Sequence, residues 1–106
     1  MNANVEKLCP DQDPIYDSIV DLIPGPDNPT PIVRIGERFN SHAGFELLVK
    51  LEGMNPFGSI KDRTAWFMLK GLELAGDQSL VEPSAGNTGI ALAALANARG
   101  TPIEIA

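Results

Sequence analysis

The chain has 106 residues, a formal net charge of −6 and 43% apolar residues, enough for one small domain with a core and unlike the composition of a disordered chain. The negative charge argues against a nucleic-acid partner, and no apolar run is long enough to place a segment across a membrane. The N-terminus shows no basic-then-apolar leader pattern, and the single cysteine, Cys9, excludes an internal disulfide and fits a reducing, cytoplasmic setting.

Residues 1–14, with Cys9-Pro10 and Asp13-Pro14, read as an irregular tail. Ile15, Tyr16, Ile19, Val20 and Ile23 recur at helical spacing and predict a short amphipathic helix. Pro24-Gly25-Pro26 stops it, because proline lacks an N–H and restricts the residue before it. Pro31 to Ile35 reads as a strand, Gly36 to Gly44 as a loop, and Phe45 to Glu52 as a second strand. Ser59 then stands as a natural N-cap with Asp62 three residues on, a capping-box pattern. Ala65, Met68, Leu69 and Leu72 form an apolar stripe that ends near Ala75-Gly76.

Ser79 to Glu82 reads as a short strand. Thr88 to Arg99 predicts a helix apolar nearly all round, and so packed on more than one side. Gly100 is its C′ residue, and Thr101 to Ala106 starts a further strand. Strand, helix, strand, helix, strand from Phe45 onward implies βαβ units and a parallel sheet, an α/β fold. Three strands and two helices make a thin layer, so the expectation is the first part of a larger α/β protein.

Two turns carry the candidate chemistry. The run Lys50-Leu51-Glu52-Gly53-Met54-Asn55-Pro56-Phe57-Gly58-Ser59-Ile60-Lys61-Asp62-Arg63 places the Lys61 amine in the first turn of a helix. The positive end of the helix dipole disfavours protonation there, burial acts in the same direction, and a neutral amine attacks carbonyl carbon. Asp62 and Arg63 suit structural pairing with neighbouring loops. On spacing alone, an exposed lysine at a helix end is the commoner reading. The run Glu82-Pro83-Ser84-Ala85-Gly86-Asn87-Thr88-Gly89 offers helix-start N–H groups and small polar side chains suited to an anion such as a carboxylate. Taken alone it also reads as an ordinary strand-to-helix turn capped by Asn87 or Thr88. It has neither the dinucleotide glycine spacing nor the P-loop lysine.

His42, the single histidine, sits in a polar loop, and one histidine with one cysteine cannot build a usual zinc site. Phe57 fits either a place near a cofactor or the core. Trp66 lies off the apolar stripe and is expected to be covered by a neighbouring domain or subunit.

The first run closely resembles the lysine motif of the cysteine synthases and cystathionine β-synthases, members of the tryptophan-synthase-β-like, fold-type II group of pyridoxal-phosphate enzymes. The second, extended through Ile90-Ala91-Leu92-Ala93, resembles their substrate-carboxylate loop. Asp17-Ser18-Ile19 through Ile23, then Asn28 and Thr30-Pro31-Ile32-Val33-Arg34, is similar to their N-terminal segment, interrupted here by extra proline and glycine. The resemblance runs from about Tyr16 to the last residue.

It implies that Lys61 forms the internal aldimine with pyridoxal 5′-phosphate and moves the substrate α-proton. Asn87 would lie near the cofactor's phenolic oxygen, and Ser84, Gly86, Asn87 and Thr88 would hold the carboxylate of a small amino-acid substrate. The implied reaction is β-replacement on an activated serine, O-acetylserine or O-phosphoserine plus sulfide, through an aminoacrylate. That is a transferase or lyase activity of cysteine biosynthesis, with a cytoplasmic homodimer as the full-length form and no metal, nucleic acid or membrane.

On this resemblance residues 15–44 belong with the larger domain, and 45–106 open an incomplete catalytic α/β region. The family's glycine-rich phosphate loop and the residue facing the pyridine nitrogen are expected beyond Ala106, so the 106 residues alone are expected to be inactive. Ala85 replaces a hydroxyl residue of the family loop. A haem ligand at Cys9 has no nearby histidine to support it. Two other readings stay open: a related synthase making another β-substituted alanine, such as cystathionine or a diaminopropionate precursor, and a non-catalytic assembly module that keeps the fold.

Overall fold

The computed structural model describes residues 15–106 apart from 27, 43 and 85. The tail 1–14, with Cys9, and the Ala85 position therefore lie outside the described residues.

The first helical pattern yields a single 3-10 turn, Ile19–Leu22. Ser18 caps it by accepting the Val20 N–H at 3.2 Å, and Asp21 returns the bond to the Ser18 N–H at 3.2 Å. Ile23 then turns extended, with ψ of 123°, as the following Pro24 requires. The expected nine-residue helix is thus cut to four residues, although its apolar end does reach the core through Ile23.

Strand β1, Ile32–Arg34, pairs antiparallel with β2, Leu48–Lys50. Flanking bonds from Ile35 N–H to Leu47 O and from Leu51 N–H to Pro31 O, both 2.9 Å, lengthen the ladder. Both strands are exposed throughout. Strand β3, Leu80–Glu82, pairs in parallel with β4, Ile103–Ile105, in the register Leu80 to Ile103. Helix α2, Asn87–Ala98, is the crossover between them, the connection a parallel pair needs. The fold is α/β with one βαβ unit. The expected three-stranded parallel sheet is corrected in one respect: the strand of the Phe45 run turns back onto β1 instead of opening the parallel sheet. Neither strand packs an apolar residue into the helical core, so none of their side chains ties them to that sheet.

Helix α1, Lys61–Leu69, follows β2. Ala65 and Leu69 of α1 and Ala91, Leu92 and Leu95 of α2 form the core with Ile23. The fully buried alanines let the two helices approach closely, and each buried leucine contributes about 1.5–3 kcal/mol. Half of the expected stripe is buried. Met68 and Leu72 stay exposed, because α1 ends at Leu69 and Gly71, with φ of +78°, turns the chain before Leu72. Trp66 and Phe57, both half-buried, pack against this core from its edge. Helix α2 packs against α1, β4 and the 3-10 turn, as its near-uniform apolar character implied, although Ile90 remains exposed. Gly100 adopts φ of +67° after α2, as a C′ residue does.

Candidate functional site

The turn that presents Lys61 is held by its own polar groups. Glu52–Met54 make a 3-10 turn after β2. The Asn55 carbonyl accepts the Gly58 N–H at 2.9 Å, and Gly58 takes φ of +92°, a conformation that favours glycine. The Ser59 hydroxyl accepts the Lys61 N–H at 3.1 Å, but the N-cap position of α1 is Ile60, one residue later than expected, and carries no side-chain cap bond. The reciprocal half of the expected capping box is altered: the Asp62 carboxylate reaches past Ser59 and accepts the Phe57 N–H at 2.6 Å. Lys61 is the first residue of α1 and is half-buried.

Asp62 is fully buried. Burial pushes its carboxyl above the ordinary aspartate range, against the lowering effect of the N–H groups of Phe57, Asp62 and Ser59. Glu52 shifts the other way. The Asn55 amide is the largest influence and lowers it; desolvation opposes this, and Thr30, Arg63 and Lys50 add to the lowering. Its Oε1 accepts the Thr30 hydroxyl at 2.8 Å and the Arg63 guanidinium at 3.0 Å, while Oε2 accepts the Asn55 amide at 2.9 Å. Arg63 also donates to the Thr30 hydroxyl oxygen at 2.7 Å. The structural role expected of Asp62 and Arg63 is thereby seen.

The second turn leads from β3 into α2. Ser84 is anchored by its N–H to the Glu82 carboxylate at 3.0 Å. The N-cap of α2 is Gly86, with no side-chain cap bond, so neither Asn87 nor Thr88 caps the helix. Asn87 is exposed, while Ser84 and Thr88 are half-buried. Gly89 faces the Ser84 backbone: a Cβ there would stand 1.9 Å from the Ser84 carbonyl oxygen. The loop can lie against α2 only because position 89 has no side chain.

The five expected site residues therefore fall at two helix starts. Lys61 opens α1, and Ser84, Gly86, Asn87 and Thr88 surround the start of α2, which packs on α1. Among the described residues, no hydrogen bond joins the Lys61 side chain to the second group. The Glu52 cluster escaped the reading of the sequence. Lys50, Glu52, Asn55 and Arg63 are all in the lysine run, but Thr30 lies 22 residues from Glu52 and 33 from Arg63.

A family model described as pyridoxal-phosphate dependent enzyme matches residues 23–106. The chain belongs to this family. It is 45% identical over 89 residues to a cysteine synthase B of Pseudomonas aeruginosa, which covers 80% of this chain and 28% of the relative. It is 44% identical over 92 residues to an O-ureido-L-serine synthase of Streptomyces lavendulae, covering 82% of this chain and 26% of the relative. Among solved structures, the O-acetylserine dependent cystathionine β-synthase of Helicobacter pylori superposes with a TM-score of 0.65 at 30% identity, over 84% of this chain and 29% of that one. The chain thus spans about a quarter of the length of these curated relatives, and its fold is the N-terminal portion of a fold-type II pyridoxal-phosphate enzyme.

The donor set suits that cofactor and an amino acid. A half-buried lysine stands at one helix start. The start of α2 has no side-chain cap, and Gly86 there leaves open space beside the Ser84 hydroxyl. Among the described residues, no helix is long and apolar enough to cross a membrane, and no cluster of three or more metal-ligating side chains occurs.

Proposed function

We propose that this chain is part of a β-replacement enzyme of cysteine-synthase type. Its substrate would be an activated serine, O-acetylserine or O-phosphoserine, with sulfide as the incoming nucleophile. The observation that carries the reading is Lys61 in the first turn of α1, a helix that packs against α2, whose own start carries no side-chain cap. Pyridoxal phosphate bound to Lys61 supplies an electron sink for the α-carbon. The chain's own residues do the rest. The Lys61 amine would hold the cofactor and, as a free base, would take the proton from the substrate α-carbon. Ser84, Thr88 and the N–H groups at the start of α2 bind the substrate carboxylate, and Asn87 orients the amino acid against the cofactor. Closure of the 84–88 loop over the carboxylate excludes water while the β-substituent leaves and the nucleophile adds.

The intact protein is read as a cytoplasmic homodimer in which residues 15–44 belong to the larger domain and 45–106 open the catalytic region. The 106 residues alone do not turn over. A second reading is favoured by the O-ureido-L-serine synthase relative, whose identity to this chain equals that of the cysteine synthase within a percentage point. In it the same lysine and carboxylate loop make another β-substituted alanine, and the incoming nucleophile alone differs.

The test is covalent. Borohydride treatment of the intact protein with pyridoxal phosphate should fix the label on Lys61, and Lys61→Ala should lose both the label and nearly all turnover. A label on another lysine, or normal turnover in the variant, would refute the assignment. Offering sulfide and other nucleophiles to the wild-type protein with O-acetylserine or O-phosphoserine then separates the two readings.

A further inference from the structure

A reactive amine on a loop must be held to within about 0.5 Å of its working position by neighbours that are themselves fixed. Lys61 follows ten loop or 3-10 residues after β2 and depends on such neighbours. Two of them flank it in sequence: Asn55 begins its turn, and Arg63 lies two residues later in the same helical turn. Both hold the same carboxylate, Asn55 through Oε2 and Arg63 through Oε1 of Glu52. Thr30, from the segment before β1, donates to that Oε1 and accepts from Arg63. Lys50 donates to the Thr30 carbonyl at 2.9 Å and lies 4.0 Å from Oε1. Thr30 and Asn55 are buried, and Glu52 is largely covered. Charged hydrogen bonds of this kind are the strong ones. The cluster closes a triangle of Thr30, Glu52 and Arg63 around the root of the lysine turn.

We infer that Glu52 is the positioning residue for Lys61: its carboxylate ties the first turn of α1, the start of the lysine turn and the segment before β1 into one rigid unit that sets where the amine is presented. The inference rests on Lys61 as the attachment residue of the proposed function. Glu52 acts through Arg63 and Asn55. A group that only stabilises the fold would change the melting temperature and leave the reactivity of folded molecules alone.

The experiment uses the intact protein, freed of cofactor. The rate at which added pyridoxal phosphate becomes borohydride-fixed to Lys61 is followed by peptide mapping and normalised to the folded fraction from circular dichroism. Glu52→Gln keeps the shape but places an amide N–H₂ where Asn55 or Arg63 needs an acceptor. It should slow attachment at Lys61 about tenfold, the scale of one charged hydrogen bond. Thr30→Val, a milder change that serves if Glu52→Gln does not fold, should slow it about threefold. Because both act in one network, the double variant should be slower than wild type by less than the product of the two factors. Folded Glu52→Gln, or in its place folded Thr30→Val, attaching at the wild-type rate overturns the inference. If the wild-type label is not on Lys61, the proposed function itself fails and the inference with it, so the two failures are told apart.

Discussion

Gly89 has no room for a methyl group. A Cβ would overlap the Ser84 carbonyl oxygen at 1.9 Å and approach its carbon at 3.0 Å, and backbone atoms cannot swing aside as a flexible side chain can. Gly89→Ala should therefore push the 84–88 loop off α2 and destabilise the intact protein by about 1–3 kcal/mol, the usual range for overpacking. Denaturant unfolding measures this, and an unchanged midpoint would show that the loop yields freely. Asp62 poses a different question at the same scale. Burial raises its pKa, so the folded state binds its proton more tightly than the unfolded chain does. The stability this gives is fully present below the ordinary aspartate range and is lost as pH rises through the raised value. Asp62→Asn removes that dependence. The stability of wild type relative to this variant should thus fall as pH rises from below the ordinary aspartate range through the raised value. Glu52, with a lowered pKa and stability lost as pH falls, is present in both proteins and cancels. A relative stability that rises with pH would contradict the assignment.

Between elements, the end of α1 depends on the end of α2. Arg99, the C-cap residue of α2, donates to the Leu69 carbonyl and, at 3.0 Å, to the Leu72 carbonyl. Leu69 closes α1, and its carbonyl, which also accepts the Leu72 N–H at 3.1 Å, is one that finds no partner within the helix; a cation suits that end of the dipole. Arg99→Met keeps most of the aliphatic stem and loses both donors. Because the guanidinium is partly exposed, the expected loss is about 1 kcal/mol, read as a lower unfolding midpoint; a midpoint equal to wild type would show that water replaces the guanidinium without loss. The elements also show what a single sequence makes legible. Helix α2 was expected at Thr88–Arg99 and occupies Asn87–Ala98, because glycines punctuate both ends. Helix α1 was expected to run toward Ala75, whereas Lys70-Gly71 breaks it; a glycine inside an apolar stripe does not announce its positive φ. The Ile15–Ile23 pattern had the right apolar residues but too little length ahead of Pro24.

For the molecule as a whole, the α/β class and the parallel pairing of β3 with β4 were legible, because the helix between those strands demands a crossover. The partner of β2 was not. Alternation within the Phe45 run is compatible with either pairing, and the choice was made by surface: both strands of the hairpin are exposed, while the core lies between α1 and α2. The two motif turns were legible because their residues are contiguous. The Thr30 contact to Glu52 and Arg63 was not, since it joins residues brought together only by folding.

That contact has an implication for how this chain can diverge. One carboxylate is read at once by a hydroxyl, a carboxamide and a guanidinium, and each reader checks a different direction of approach. Exchanging Glu52 and Arg63 would balance the charges but leave Asn55 and Thr30 facing the wrong chemistry. Sequence drift through this corner therefore has to be concerted, several positions moving together, while the exposed hairpin beside it is free to vary one residue at a time.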